Sequence, residues 1–229
     1  MILSIIIPVY NEEKTVLKSL QSLKDLNKNL FQHEVIVVND GSQDSTSKIL
    51  NENKNLYDKL LTNETNKGKG FSIKRGIIEA KGTYIICHDA DLEYNPKDIS
   101  KFEKIFADFD ADGVLGSRFN YSDYTRSHNI LNKFANHLIT LTFNLLYNTT
   151  FTDIYSCYFA FKKELIDPNL LQTSGFEQHA EILCKVVKSG KKFYEVPINY
   201  SGRSYSEGKK IRPRHFFSVI YQIFLRRFI

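Results

Sequence analysis

The 229-residue chain has few cysteines, no long apolar run and no strong charge of either sign. Each lack removes a class of protein. Cys87, Cys157 and Cys184 are odd in number, widely spaced and set among apolar neighbours, which excludes a disulfide framework and a zinc-ligand spacing. A reduced, cytosolic setting fits them. No stretch reaches the length of an uninterrupted bilayer span. The nearest, Phe134 to Phe151, carries Asn136, His137, Asn144 and Asn148 and reads as a helix on or near a surface. Met1 leads directly into Leu3-Ser4-Ile5-Ile6-Ile7-Pro8, without the basic start or small-residue cleavage site of a signal peptide. The six histidines form no Ser/His/Asp or Cys/His arrangement, and His179 and His215 read as surface residues.

The net charge is +5, and it is concentrated. From Arg203 to Ile229 there are seven Lys/Arg against Glu207 alone. A near-neutral body with a basic end predicts a local anionic partner and not a coat for nucleic acid.

What is present is alternation. Leu3–Val9, Glu34–Val38, Lys59–Thr62 and Thr83–His88 are short apolar or β-branched runs that read as buried strands. Helices are expected between them. One opens at Asn11-Glu12-Glu13 and carries Val16, Leu17, Leu20 and Leu23. A second is capped by Asp44-Ser45, and a third runs from Gly70 to Ala80. Pro96 starts another helix. This order predicts a mostly parallel sheet covered by helices on both faces, in one domain. The second half reads as a strand at Gly113–Gly116, a helix from about Asn129 to Tyr147, strands at Tyr158–Phe161 and Phe193–Tyr200, and a helix from Phe176 to Lys188. After Pro213, a helix bears Phe216, Phe217, Ile220, Ile223, Phe224 and Phe228 on one stripe, flanked by Arg214, Arg226 and Arg227. Such a basic amphipathic helix suits a membrane surface; docking onto the core is the alternative.

In parallel sheets ligands bind at the carboxyl ends of the strands. Three strand ends here carry polar groups: Tyr10-Asn11-Glu12, Asp40, and Asp89 with Asp91. Asp89 and Asp91 face the same side of an extended segment and repel unless a cation lies between them. Mg²⁺ or Mn²⁺, with oxygen ligands and positions left for phosphate oxygens, answers that need, and Glu93 is a further candidate ligand. Asp40 is placed to accept hydrogen bonds from a base or ribose, with helix capping as the alternative. Gly68-Lys69-Gly70 lacks the third glycine of a dinucleotide fingerprint, because Ile73 stands there, and it lacks the Walker pattern. It reads either as a plain turn or as a helix N-terminus with Lys67 or Lys69 near an anion. Arg118 and Arg203 suit bidentate phosphate contacts.

Four segments together, Ile5 to Glu12, Val37 to Asp44, Asn66 to Gly70 and Asp89 to Leu92, resemble the family 2 glycosyltransferases. Gly116-Ser117-Arg118-Phe119, Gly175-Phe176-Glu177, Glu195-Val196-Pro197-Ile198 and Arg203 to Ile211 narrow the resemblance to the dolichyl-phosphate mannosyltransferase-like branch. The resemblance implies a GT-A fold and inverting transfer of a sugar from a nucleotide-sugar, UDP- or GDP-linked, to a polyprenyl phosphate. The setting it implies is the inner face of the cytoplasmic membrane, with the C-terminal helix on the membrane surface. It implies that residues 1–112 bind the nucleotide, that residues 113–212 handle acceptor and phosphate, and that 213–229 form the basic helix. Pro8, Tyr10, Asn11, Glu12, Val38, Asp40, Lys69, Ala90, Arg118, Arg203, Lys209 and Lys210 fall at donor-binding positions. Asp89, Asp91 and Glu93 fall at the metal site, and Glu177 at a position that orients the acceptor. A hydroxyl acceptor on a glycan would instead need a general base, for which Glu177 or Glu181 is the candidate. A third alternative is a module that binds the nucleotide-sugar without turnover. The chain departs from the branch where relatives carry a basic residue at the Phe159 position, and in Arg212-Pro213-Arg214-His215.

Overall fold

The computed structural model describes residues 1–26, 30–120, 126, 130–203 and 215–229. Seven strands form one sheet: β1 (Ile2–Val9), β2 (Gln32–Asn39), β3 (Lys59–Thr62), β4 (Tyr84–Cys87), β5 (Gly113–Ser117), β6 (Phe159–Lys162) and β7 (Phe193–Pro197). Their spatial order is β3-β2-β1-β4-β6-β5-β7. β6 pairs antiparallel with both β4 and β5, and the remaining pairs are parallel. Because β6 runs backwards, the segment that leads into it lies at the same edge as the carboxyl ends of the parallel strands.

β1 shows why the sheet is covered on both faces. Leu3, Ile5, Ile7 and Val9 join one apolar cluster and Ile6 joins the other, as the two-residue period requires. The first cluster receives α1 (Val16–Lys24) and α4 (Ile99–Phe109). The second receives α3 (Lys69–Glu79), α5 (Ile130–Tyr147), α6 (Gln178–Ser189) and α7 (His215–Phe228). A short α2 (Thr46–Glu52) follows the β2 end.

Three boundaries differ from the sequence expectation for physical reasons. α1 starts at Val16 and not near Asn11, because the next loop takes the preceding amides. The N–H groups of Asn11, Glu12 and Glu13 donate to Ser42, Thr46 and Asp44. Pro96 opens a single 3₁₀ turn before α4. β7 ends at Pro197, and Tyr200 forms an isolated bridge with Tyr94.

The C-terminal stripe is two faces. Val219 and Ile223 are fully buried against the core, and Phe216 and Ile220 pack beside them. Phe217, Tyr221, Phe224 and Phe228 are exposed. Arg226 is not a flanking surface cation. It is buried, and its guanidinium lies 3.0 Å from Glu181 Oε1 and 2.9 Å from Gln172 Oε1. No helix among the described residues is long and apolar enough to cross a membrane.

Candidate active site

A cavity of about 390 Å³ opens at the carboxyl edge of the sheet. Pro8 near the end of β1, Tyr10 and Glu12 after it, Asp40 after β2, and Asp89, Ala90, Asp91 and Glu93 after β4 all line it. Lys69, Arg118 and Arg203 join them. Segments separated by up to about two hundred residues therefore converge on one crevice. Of the other expected donor-site residues, Val38 is wholly buried in the core under the sheet. Asn11 is exposed, and its Oδ1 accepts from Gln43 N at 2.8 Å, tying two strand-end loops together. Lys209 and Lys210 lie outside the described residues.

Asp89 and Asp91 sit in opposite electrostatic states. Lys69 Nζ lies 2.6 Å from one Asp89 oxygen and 2.7 Å from the other. Burial would raise the Asp89 carboxyl, but the Lys69 ammonium overcomes it and holds the group below the usual carboxylate range. Asp91 is pushed up to about 7 by burial, then by Asp89 and Glu93, despite Arg203 at 2.9 Å. Lys69 in turn is held well above its ordinary value: burial opposes its charge, and Asp89 outweighs burial.

Asp40 has a definite task. Its Oδ1 accepts from Asn63 Nδ2 at 2.5 Å and from Lys67 N at 3.0 Å, and its Oδ2 accepts from Gly68 N at 2.8 Å. Asp40 thus holds the turn that launches α3. It is not a helix cap; α2 has Ser45 at its N-cap, and Asp44 just before it accepts from Thr46 N through Oδ1 at 2.9 Å. The glycines of Gly68-Lys69-Gly70 are required by close approach. Gly68 has φ +97°, and a Cβ there would stand 2.4 Å from the Ser174 carbonyl oxygen. The turn therefore delivers Lys69 to Asp89, while Lys67 lies over the Phe71 ring.

Arg118 is locked in place. Its Nε and Nη2 bind the two oxygens of Asp153 at 2.7 Å each, and its backbone N–H adds a third bond at 3.0 Å. Nothing in the sequence signals this pair, since the partners are 35 positions apart and come from separate loops. Glu93 accepts from Tyr200 Oη at 2.6 Å and from Arg203 N at 2.9 Å, so its carboxylate anchors the strap 200–203.

Neither candidate base presents itself to the cavity. Glu181 is fully buried and accepts from Gln172 N, Thr173 N and Thr173 Oγ1 while paired with Arg226. That disposes of it as a base. Glu177 accepts from Gly175 N, and its neighbours Gly175, Phe176, Gln178 and His179 line the cavity. His179, expected at the surface, faces the cavity instead. Its Nε2 bonds the Ile154 carbonyl at 3.0 Å, and burial, reinforced by Lys69, lowers its pKa to about 4. Tyr155, Cys157, Gln178 and Tyr200 also line the cavity and were not foreseen. Phe159, where a basic residue was in question, is a core side chain.

The residues fit a divalent cation. Glu12, Asp89, Asp91 and Glu93 all line the cavity, and the Asp91 carboxyl is raised by burial first and then by the neighbouring Asp89 and Glu93. Asp89 and Asp91 are the oxygen donors that would hold Mg²⁺ or Mn²⁺. Among the described residues no three potential ligands converge on a single point.

A mostly parallel seven-stranded sheet covered by helices on both faces, with acids and cations at its carboxyl edge, is a fold of the GT-A type. The glycosyl transferase family 2 model matches residues 4–169, and the chain belongs to that family and is a glycosyltransferase. An uncharacterised protein of Methanocaldococcus jannaschii is 35% identical over 222 residues, covering 90% of this chain and 93% of that one. A dolichyl-phosphate beta-glucosyltransferase of Dictyostelium discoideum is 35% identical over 137 residues, 53% of this chain and 41% of its own length. Among solved structures, the glucosyl-3-phosphoglycerate synthase of Mycobacterium tuberculosis, crystallised with Mn²⁺, UDP and phosphoglyceric acid, superposes with a TM-score of 0.74. It is 17% identical, with 99% of this chain and 78% of that chain covered.

Proposed function

We propose that this glycosyltransferase moves a sugar from a UDP- or GDP-linked donor to a polyprenyl phosphate, with inversion, while resting on a membrane surface. The observation that carries the phosphate acceptor is the state of the cavity's carboxylates. Asp40 is bonded to its turn, Asp89 to Lys69, and Asp91 and Glu93 to Arg203. Glu12 lines the same cavity, and Glu181 is sealed in the core. A hydroxyl acceptor needs a base to take its proton. A phosphate acceptor arrives as an anion and needs only positioning beside cations. The partial likeness to a dolichyl-phosphate beta-glucosyltransferase supports the same choice.

The division of labour follows the sheet. The nucleoside lies over the ends of β1 and β2, by Pro8, Tyr10, Glu12 and Asp40. The diphosphate lies at the end of β4, where Asp89 and Asp91 would hold a divalent cation; when bound, that cation would neutralise charge on the departing diphosphate. Lys69 and Arg203 hold the carboxylates and add positive charge beside the leaving group. Arg118, fixed by Asp153 and lying over the Tyr200 ring, presents a rigid guanidinium toward the acceptor phosphate.

The membrane reading rests on α5 and α7. Ile130, Leu131, Phe134, Leu141 and Leu145 on α5 are exposed, as are Phe217, Tyr221, Phe224 and Phe228 on α7. Asn132, Ala135, Asn136 and Ile139 of α5 and Phe216 of α7 line the cavity. The same two helices therefore present an apolar outer surface and a wall of the site, which suits an acceptor whose phosphate reacts while its chain stays in lipid.

The test is direct. With Mn²⁺, radiolabelled UDP- and GDP-sugars and polyprenyl phosphate, label should enter the lipid fraction, and Phe217→Glu/Phe224→Glu should abolish vesicle flotation without lowering the melting temperature. No label in lipid from any donor would defeat the acceptor assignment.

A further inference from the structure

Gln178 is 1% exposed, lines the cavity, and has no hydrogen-bond partner at either Nε2 or Oε1. The Tyr155 hydroxyl, on another residue of the lining, is also buried without a partner. Buried polar groups are nearly always satisfied, so an amide and a phenol left without partners on two residues that line one cavity mark a place where a ligand completes them. Their setting gives the ligand's position. Gln178 opens α6 and packs on the α3 turn: a Cβ at Gly70 would lie 2.8 Å from Gln178 Cβ. It therefore sits beside Lys69 and, through it, beside Asp89. Tyr155 lies just before β6, one strand beyond β4 in the sheet. Passing along the edge from β2, the order is Asp40, then Asp89, then Tyr155 with Gln178. On the proposed reading that order is nucleoside, diphosphate, and the group attached to the diphosphate.

The chemistry selects the same group. A primary amide offers both a donor and an acceptor. A phosphate oxygen would satisfy Nε2 and leave Oε1 open, whereas neighbouring sugar hydroxyls satisfy both. The flanking His179 adds no charge, since burial lowers its pKa to about 4.

We infer that Gln178 and Tyr155 form the subsite that hydrogen-bonds the hydroxyls of the transferred sugar. The subsite makes these two residues determinants of donor recognition and rests on the donor reading above.

Calorimetry with Mn²⁺ tests it, using UDP-glucose against UDP and GDP-mannose against GDP on wild type, Gln178→Leu and Tyr155→Phe. Loss of one or two hydrogen bonds predicts nucleotide-sugar affinity lower by about tenfold in Gln178→Leu. Affinity for the free diphosphate should change by less than about twofold, since the lost bonds face the sugar. Melting temperature should hold or rise, because the substitution removes an unsatisfied buried amide. Tyr155→Phe should show the same selectivity with a smaller effect. Equal losses for nucleotide-sugar and nucleotide, or no loss, would overturn the subsite while leaving the donor reading intact. A wild type that binds none of the four would overturn both.

Discussion

Arg203 Nη2 lies 2.9 Å from Asp91 Oδ2, so this carboxylate is held by a cation 112 positions further along the chain. Even so, the Asp91 carboxyl is pushed up to about 7, because burial and the flanking Asp89 and Glu93 outweigh that one guanidinium.

This makes the metal-free protein pH-sensitive in a defined direction. The Asp91 pKa is raised on folding from 3.8 to about 7, so its contribution to stability is present below about pH 4 and is lost as pH rises through 7. Asp91→Asn cannot ionise. Its melting temperature relative to wild type should climb between pH 4 and 7 and level off above, by about 2–4 °C per kcal/mol. A difference that stays flat across the range would show that Asp91 is not raised.

The Arg118–Asp153 pair predicts a stability effect. Asp153→Asn leaves a guanidinium buried with a neutral partner, and breaking such a pair costs about 3–5 kcal/mol. Urea unfolding should show that loss. A change below about 1 kcal/mol would mean that the arginine relaxes into solvent.

Glu181 separates structure from catalysis. It binds the 172–173 backbone and Arg226 of α7, so Glu181→Gln should lower stability by about 1–3 kcal/mol and leave kcat unchanged at a temperature where the variant is folded. A collapse of kcat at intact stability would restore the general-base assignment.

Much of the first half of the chain could be read directly. The apolar runs gave β1 to β4, and β3 agrees to the residue, because buried parallel strands carry continuous β-branched sequence bounded by polar turns. Acids that follow such runs must collect at one edge, so Glu12, Asp40, Asp89 and Asp91 could be assigned to a single crevice. What could not be read depends on partners distant in sequence. Asp40 binds the backbone of Lys67 and Gly68, Arg118 binds Asp153, and Arg226 turns inward to Glu181. Local pattern carries no trace of those pairings. The α7 stripe misled for a related reason: a helix packed on two neighbours shows apolar residues on both faces, and periodicity alone does not separate the buried Ile223 from the exposed Phe224.

The most direct measurement is calorimetric titration of wild type and Asp91→Ala with UDP and GDP, with and without Mn²⁺. One nucleotide should bind wild type at least about tenfold more tightly with Mn²⁺, a gain of about 1.4 kcal/mol. Asp91→Ala should lose that gain while keeping its fold by circular dichroism. Equal Mn²⁺-dependent affinity in the two proteins would contradict the assignment of Asp91 to the metal–diphosphate anchor.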